Sequence, residues 1–94
     1  MESGGTARRG FRLTGRVQGV GFRWWTRRTA EELGLRGTVR NRRDGSVEIH
    51  AEGGDDAMES FARRIRSGPS AARVDEVEEL EAKTSLPDGF RIVH

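Results

Sequence analysis

The sequence predicts a small α+β domain, and three observations carry that prediction. Short runs have apolar residues that alternate, two longer stretches have apolar residues that recur at helical spacing, and glycine- or proline-containing breaks separate them. With 94 residues the chain has material for one core and not two. Hydrophobic residues make up 33% and charged residues 34%, so that core is thin.

The elements follow in order. Residues 1–7 are small and polar and read as a flexible N-terminus, leaving 8–94 as the folded domain. Phe11 and Leu13, two apart, suit a short strand with one buried face. Residues 15–21 hold three glycines in seven positions, too many for the interior of a strand or helix, and read as a loop. Phe22, Thr26, Ala30 and Leu33 then recur at helical spacing, with Gly34 where a left-handed cap belongs. Residues 36–43 predict a strand, and Arg43-Asp44-Gly45-Ser46 is the strongest hairpin signal in the chain. Val47, Ile49 and Ala51 share one face of a third strand, which Gly53 and Gly54 end. Asp55 is placed to cap a second helix with the stripe Met58, Phe61, Ala62, Ile65, closed by Ser67-Gly68-Pro69. Residues 73–83 read as an acidic edge strand, with a helix as the alternative. A turn at Pro87-Asp88-Gly89 leads to a short last strand at Phe90. The order βαββαβ plus a short C-terminal strand is the ferredoxin-like sandwich, with two helices on one face of an antiparallel sheet.

Composition excludes several classes of chemistry. The chain has no cysteine, which removes disulfides, thiolate nucleophiles and thiolate metal sites. No run approaches the roughly 20 apolar residues of a membrane span, and the first ten residues lack the apolar core of a signal peptide. A cytoplasmic protein with no membrane partner is expected. His50 and His94 are far apart in sequence with no carboxylate pair to complete a metal site, so no metal and no cofactor is predicted. Charge is unevenly distributed. Residues 1–43 hold 11 Arg against 3 acidic residues, a net of +8, whereas residues 44–94 carry a net of −6. The first half is the place to look for a bound anion, although sixteen Arg against one Lys follows base composition as readily as function.

Glycines between a strand and a helix let successive backbone N–H groups turn towards an anion, and the helix start adds partial positive charge. The 15–21 loop has that position, without the Lys-Ser/Thr of a Walker loop or the spacing of a dinucleotide fold. A tight connection would be rich in glycine too. Arg23 strengthens the anion reading, because from the first helical turn a guanidinium can reach back and grip two phosphate oxygens; Arg16 can equally face water. Asn41 stands just before the hairpin, either as a turn residue or as an amide that positions a water. Asp55-Asp56 reads as a helix start, the carboxylates at 75–81 as a solvated edge, and at most one of Trp24 and Trp25 faces the core. Arg9-Gly10-Phe11 matches the start of an RNA-recognition strand motif by chance, and no nucleic-acid partner is expected.

The segment Leu13-Thr14-Gly15-Arg16-Val17-Gln18-Gly19-Val20-Gly21-Phe22-Arg23, together with Gly37-Thr38-Val39-Arg40-Asn41-Arg42-Arg43-Asp44-Gly45-Ser46-Val47 and Gly53, closely resembles the two signature blocks of the acylphosphatase family. The likeness extends over residues 8–94, and the family's fold is the one read above. The resemblance implies hydrolysis of the carboxyl-phosphate bond of a small-molecule acyl phosphate, without metal or covalent intermediate. It implies Arg23 as the phosphate-binding arginine and Asn41 as the water-orienting asparagine, with Gly15, Arg16, Val17, Gln18, Gly19 and Val20 as the phosphate cradle. Inorganic phosphate, the product, is then expected to inhibit, and the chain is expected to act as a monomer. Thr38, where the family usually has an aromatic residue, and His94, where many relatives end in Tyr or Arg, depart from the pattern. The alternative is a non-catalytic module of the same fold that binds phosphate or an RNA backbone.

Overall fold

The computed structural model describes residues 5–94. The alternating runs become strands β1 (Thr6–Arg16), β2 (Arg36–Asn41), β3 (Val47–Gly54), β4 (Arg73–Leu80) and β5 (Phe90–Ile92), and the two apolar stripes become helices α1 (Phe22–Glu32) and α2 (Asp55–Ser67). The strands form one sheet in the order β4-β1-β3-β2-β5. β1 pairs antiparallel with β3 and β4, and β2 antiparallel with β3. β5 runs parallel to β2, so the sheet is mixed. The two-helix ferredoxin-like arrangement is as expected, and the acidic segment is an edge strand, not a helix.

α1 packs over β2 and β5, and α2 over β3, β4 and β1. Between helices and sheet lie Phe11 and Leu13 of β1, Val39 of β2, Ile49 of β3 and the stripe Met58, Phe61 and Ile65 of α2, all essentially without exposure. Phe61 meets Phe11 and Phe90 edge to face, with centroids 6.3 and 6.2 Å away. Burial of each such side chain contributes about 1.5–3 kcal/mol, which makes this row the main source of stability.

Several boundaries differ from the sequence expectation. β1 begins at Thr6, so Thr6 and Ala7 of the expected flexible terminus are paired with Gly54 and Gly53; residues 1–4 of that expectation lie outside the described residues. β1 also runs on through Gly15 and Arg16, which pair with Val74 and Arg73 after a bulge at Thr14. Long-range pairing there overrides the local glycine signal. Asp55 is the first residue of α2 and not its cap: Gly54 holds that position, without a side-chain cap, and the Asp55 N–H bonds to the Gly5 carbonyl at 3.1 Å. β2 ends at Asn41, two residues early, because the hairpin starts where the Arg42 N–H bonds the Ser46 carbonyl at 2.8 Å.

The direction of β5 decides where the end of the chain lies. After β4 the chain crosses the sheet face away from the helices, where the Lys83 N–H donates to His50 Nδ1 at 3.2 Å. It joins the far edge beside Gly37 and runs parallel to β2, ending at Ile92 beside Val39. The last residues therefore arrive next to Asn41. No described helix is long and apolar enough to cross a membrane.

Candidate active site

The start of α1 is built to leave its backbone donors free. Its N-cap, Gly21, is left-handed (φ 76°), makes no side-chain cap, and the first turn holds no acidic residue. Gly19 is left-handed as well (φ 77°), and space around both glycines is open. Their requirement is conformational, since a side chain there meets strain and not a neighbour. Gly15 has a different role: a Cβ would collide with the Arg73 carbonyl of β4, so it allows close strand pairing. Val17, 1% exposed, anchors the turn in the core. Gln18 ties it to the opposite hairpin, its amide donating to the Arg42 and Ser46 carbonyls at 2.8 and 2.9 Å.

Arg23 lies in the first turn of α1, half-buried, with no carboxylate within salt-bridge distance among the described residues. Its one polar side-chain contact there is His94 Nδ1, 3.5 Å from Nη1. Asn41, at the end of β2, shares its face with buried Val39, which turns the amide towards α1. Its Oδ1 is buried and has no hydrogen-bond partner. A buried acceptor left unmatched costs about 1–3 kcal/mol, so such an atom is a mark of function when it faces a cavity. Thr26 Oγ1 is similarly unmatched, one turn along α1 in the core.

Arg23 and Asn41 line one cavity of about 170 Å³, walled by Val17, Gly19 and Gly21 of the turn, Phe22 and Trp24 of α1, and Ile92 of β5. Of the residues singled out in the sequence, the structure thus brings together Arg23, Asn41, Val17 and Gly19. Gly15, Arg16, Gln18 and Val20 are not on its wall, and Arg16 is exposed at the end of β1. Trp24 and Ile92 join the wall without a sequence motif to mark them; only the position of Trp24 beside Arg23 at the start of the helix points to it. A larger hollow of about 500 Å³ lies between α1 and β5, where Glu31 and Asp88 offset Arg27 and Arg91, so its wall carries no net positive charge. Thr38, which breaks the family pattern, alternates onto the other sheet face and pairs with His50, away from Asn41.

The hairpin beside the site is held by charge. Hydrogen bonds from the Ser46 hydroxyl, the Arg12 guanidinium and the Ser46 N–H keep Asp44 well below the usual carboxylate range. On the open sheet face, Glu48 is 8% exposed and accepts from Arg40 at 3.0 Å and from His50 Nε2 at 2.6 Å. Burial pushes its carboxyl up, but the hydrogen bonds from His50 and Arg40 together with the Arg40 charge prevail, and it ends below its ordinary value. With Nδ1 accepting from Lys83, His50 carries its proton on Nε2 and serves the crossing segment, not the cavity. Among the described residues, no three His, Asp or Glu side chains are placed to hold a metal ion.

The acylphosphatase family model matches residues 9–92. The chain is 47% identical over 93 residues to an acylphosphatase of Salinibacter ruber, an alignment spanning 98% of each protein. It is similar in structure to the acylphosphatase of Bacillus subtilis, with TM-score 0.82 and 37% identity over 93% of this chain and 98% of that one. The acylphosphatase of Coxiella burnetii is as close in structure, with TM-score 0.82 and 34% identity over 94% of this chain and 93% of that one. On this agreement of sequence and fold, the chain belongs to the acylphosphatase family.

Proposed function

We propose that acyl-phosphate hydrolysis, the activity of the family, is divided here between Arg23 and Asn41. The phosphoryl group sits against the N–H groups of the turn and of the first turn of α1, with its charge met by the Arg23 guanidinium. Asn41 Oδ1 accepts a hydrogen bond from a water, which leaves a lone pair of that water facing phosphorus. Water attacks, the P–O bond to the acyl group breaks, and the carboxylate leaves with the bond electrons. The proton shed by the water passes to an oxygen of the bound phosphate. A carboxylate is a good leaving group, so neither a side-chain nucleophile nor a leaving-group acid is needed. Neutralised charge and a placed water are enough.

The observation that carries this reading is the buried, unmatched Oδ1 of Asn41 on the same cavity wall as Arg23. A module that merely held phosphate would use Arg23 and leave that acceptor without purpose. Every group involved comes from one chain, so a monomer suffices, and the positive charge is supplied by Arg23 without a metal. A chain without cysteine draws nothing from an oxidising compartment, which accords with the cytoplasm. The purified chain is expected to release phosphate from acetyl phosphate in excess chelator, with inorganic phosphate as a competitive inhibitor. Activity restored to a chelated sample by a divalent cation, or inhibition that is purely non-competitive, overturns this account.

A further inference from the structure

The cavity has an apolar wall that phosphate chemistry does not use. Trp24 follows Arg23 in the first turn of α1, lines the cavity with Val17 and Ile92, and is 57% exposed, the only large apolar side chain so exposed among the described residues. Its neighbour Trp25 behaves as a core residue, turned edge to face onto Phe22 with centroids 5.5 Å apart. Trp24 is nonetheless held in place: the guanidinium of Arg28, one turn further along α1, lies 4.8 Å from its ring centroid. A flat ring, fixed on one side by a cation and open on the other beside the phosphate-binding arginine, is a surface waiting for a planar apolar group.

We propose that Trp24 is the platform for the acyl group, and that the site prefers acyl phosphates with an aromatic or large apolar acyl chain. The proposal rests on the reading of Arg23 and Asn41 given above. With the phosphoryl group against the α1 start and Arg23, the acyl chain must leave through the mouth, where the Trp24 face and Ile92 supply the apolar area to receive it. Gly19 and Gly21, which also line the cavity, add no side chain to it, and the space around both is open.

The test is the ratio of kcat/KM for benzoyl phosphate to that for acetyl phosphate, measured for the wild type, Trp24→Ala and Trp24→Phe. Trp24→Ala is expected to lower that ratio roughly five- to tenfold, and Trp24→Phe to restore most of it, because a ring can stack where a methyl cannot. Competitive inhibition by inorganic phosphate, retained in both variants, shows that the cradle is intact. An unchanged ratio in Trp24→Ala overturns the proposal, as does an equal fall on both substrates, which is the signature of a structural role. If the wild type releases phosphate from neither substrate, the failure lies in the reading of Arg23 and Asn41, and the platform falls with it.

Discussion

The two helices begin in opposite ways. α2 carries Asp55 and Asp56 in its first turn and Arg64 and Arg66 in its last, charges that complement its own dipole, and the Asp55 N–H is satisfied by the Gly5 carbonyl. α1 has no acid in its first turn, no base in its last and no side-chain cap. The contrast continues in the arginines. Arg36 and Arg40 on the open sheet face each have a carboxylate partner, Glu52 at 2.8 Å and Glu48 at 3.0 Å, whereas Arg23 touches only the His94 ring among the described side chains. Charge on α2 and on the open face serves the fold. At the α1 start, the positive potential is left for a ligand.

The most drastic way to break this contrast is to remove the unpaired charge. Arg23→Ala should lower kcat/KM roughly 10³-fold and abolish competitive inhibition by phosphate, because in the proposed reaction the guanidinium holds the phosphoryl group in both ground and transition states. Arg23→Lys should recover little, since one ammonium lacks the two-point fork. Asn41→Ala should lower kcat roughly 10²-fold while phosphate inhibits nearly as before, as in the proposed reaction Oδ1 meets the water and not the phosphate. Full activity in a variant with native far-UV circular dichroism would remove Asn41 from the mechanism.

Changes on the paired side should alter stability instead. Glu48→Gln should cost about 1–3 kcal/mol in urea unfolding at neutral pH, since it uncharges the centre of a buried cluster. The folded carboxyl lies below its ordinary value, so its stabilisation is complete above that value and lost as pH falls through the lower folded one. The wild type should therefore weaken on acidification below about pH 4.5, and Glu48→Gln should show a shallower decline. The smallest effect belongs to α2. The double variant Asp55→Asn, Asp56→Asn should lower stability by about 0.5–1 kcal/mol, an effect that salt reduces, with phosphate release unaltered.

The part of the candidate site that is local can be read from the sequence. Arg23 follows a glycine-rich turn at the start of a helical stripe, and the turn, the helix start and the fork of Arg23 all lie within nine residues. Asn41 was ambiguous in sequence between turn and site, and the structure places it at the end of β2 on the Val39 face. Composition suggests a loop at Gly15 and Arg16, but their pairing with β4 depends on residues nearly sixty positions away. His50 looked like an isolated histidine, since neither burial nor the approach of Lys83 can be read from a run of alternating residues.

The sequence by itself determined the elements, the apolar face of each and the glycine-rich turn ahead of α1, because backbone propensity and side-chain periodicity act over a few residues. Tertiary structure decided which edge β5 joins and in which direction, what covers Glu48 and His50, and which side chains share a wall with Arg23. Those outcomes depend on closing a chain across the whole sheet. That closure brings Ile92 and His94 to the α1 start and leaves one indole exposed beside Arg23, neither of which any local pattern encodes.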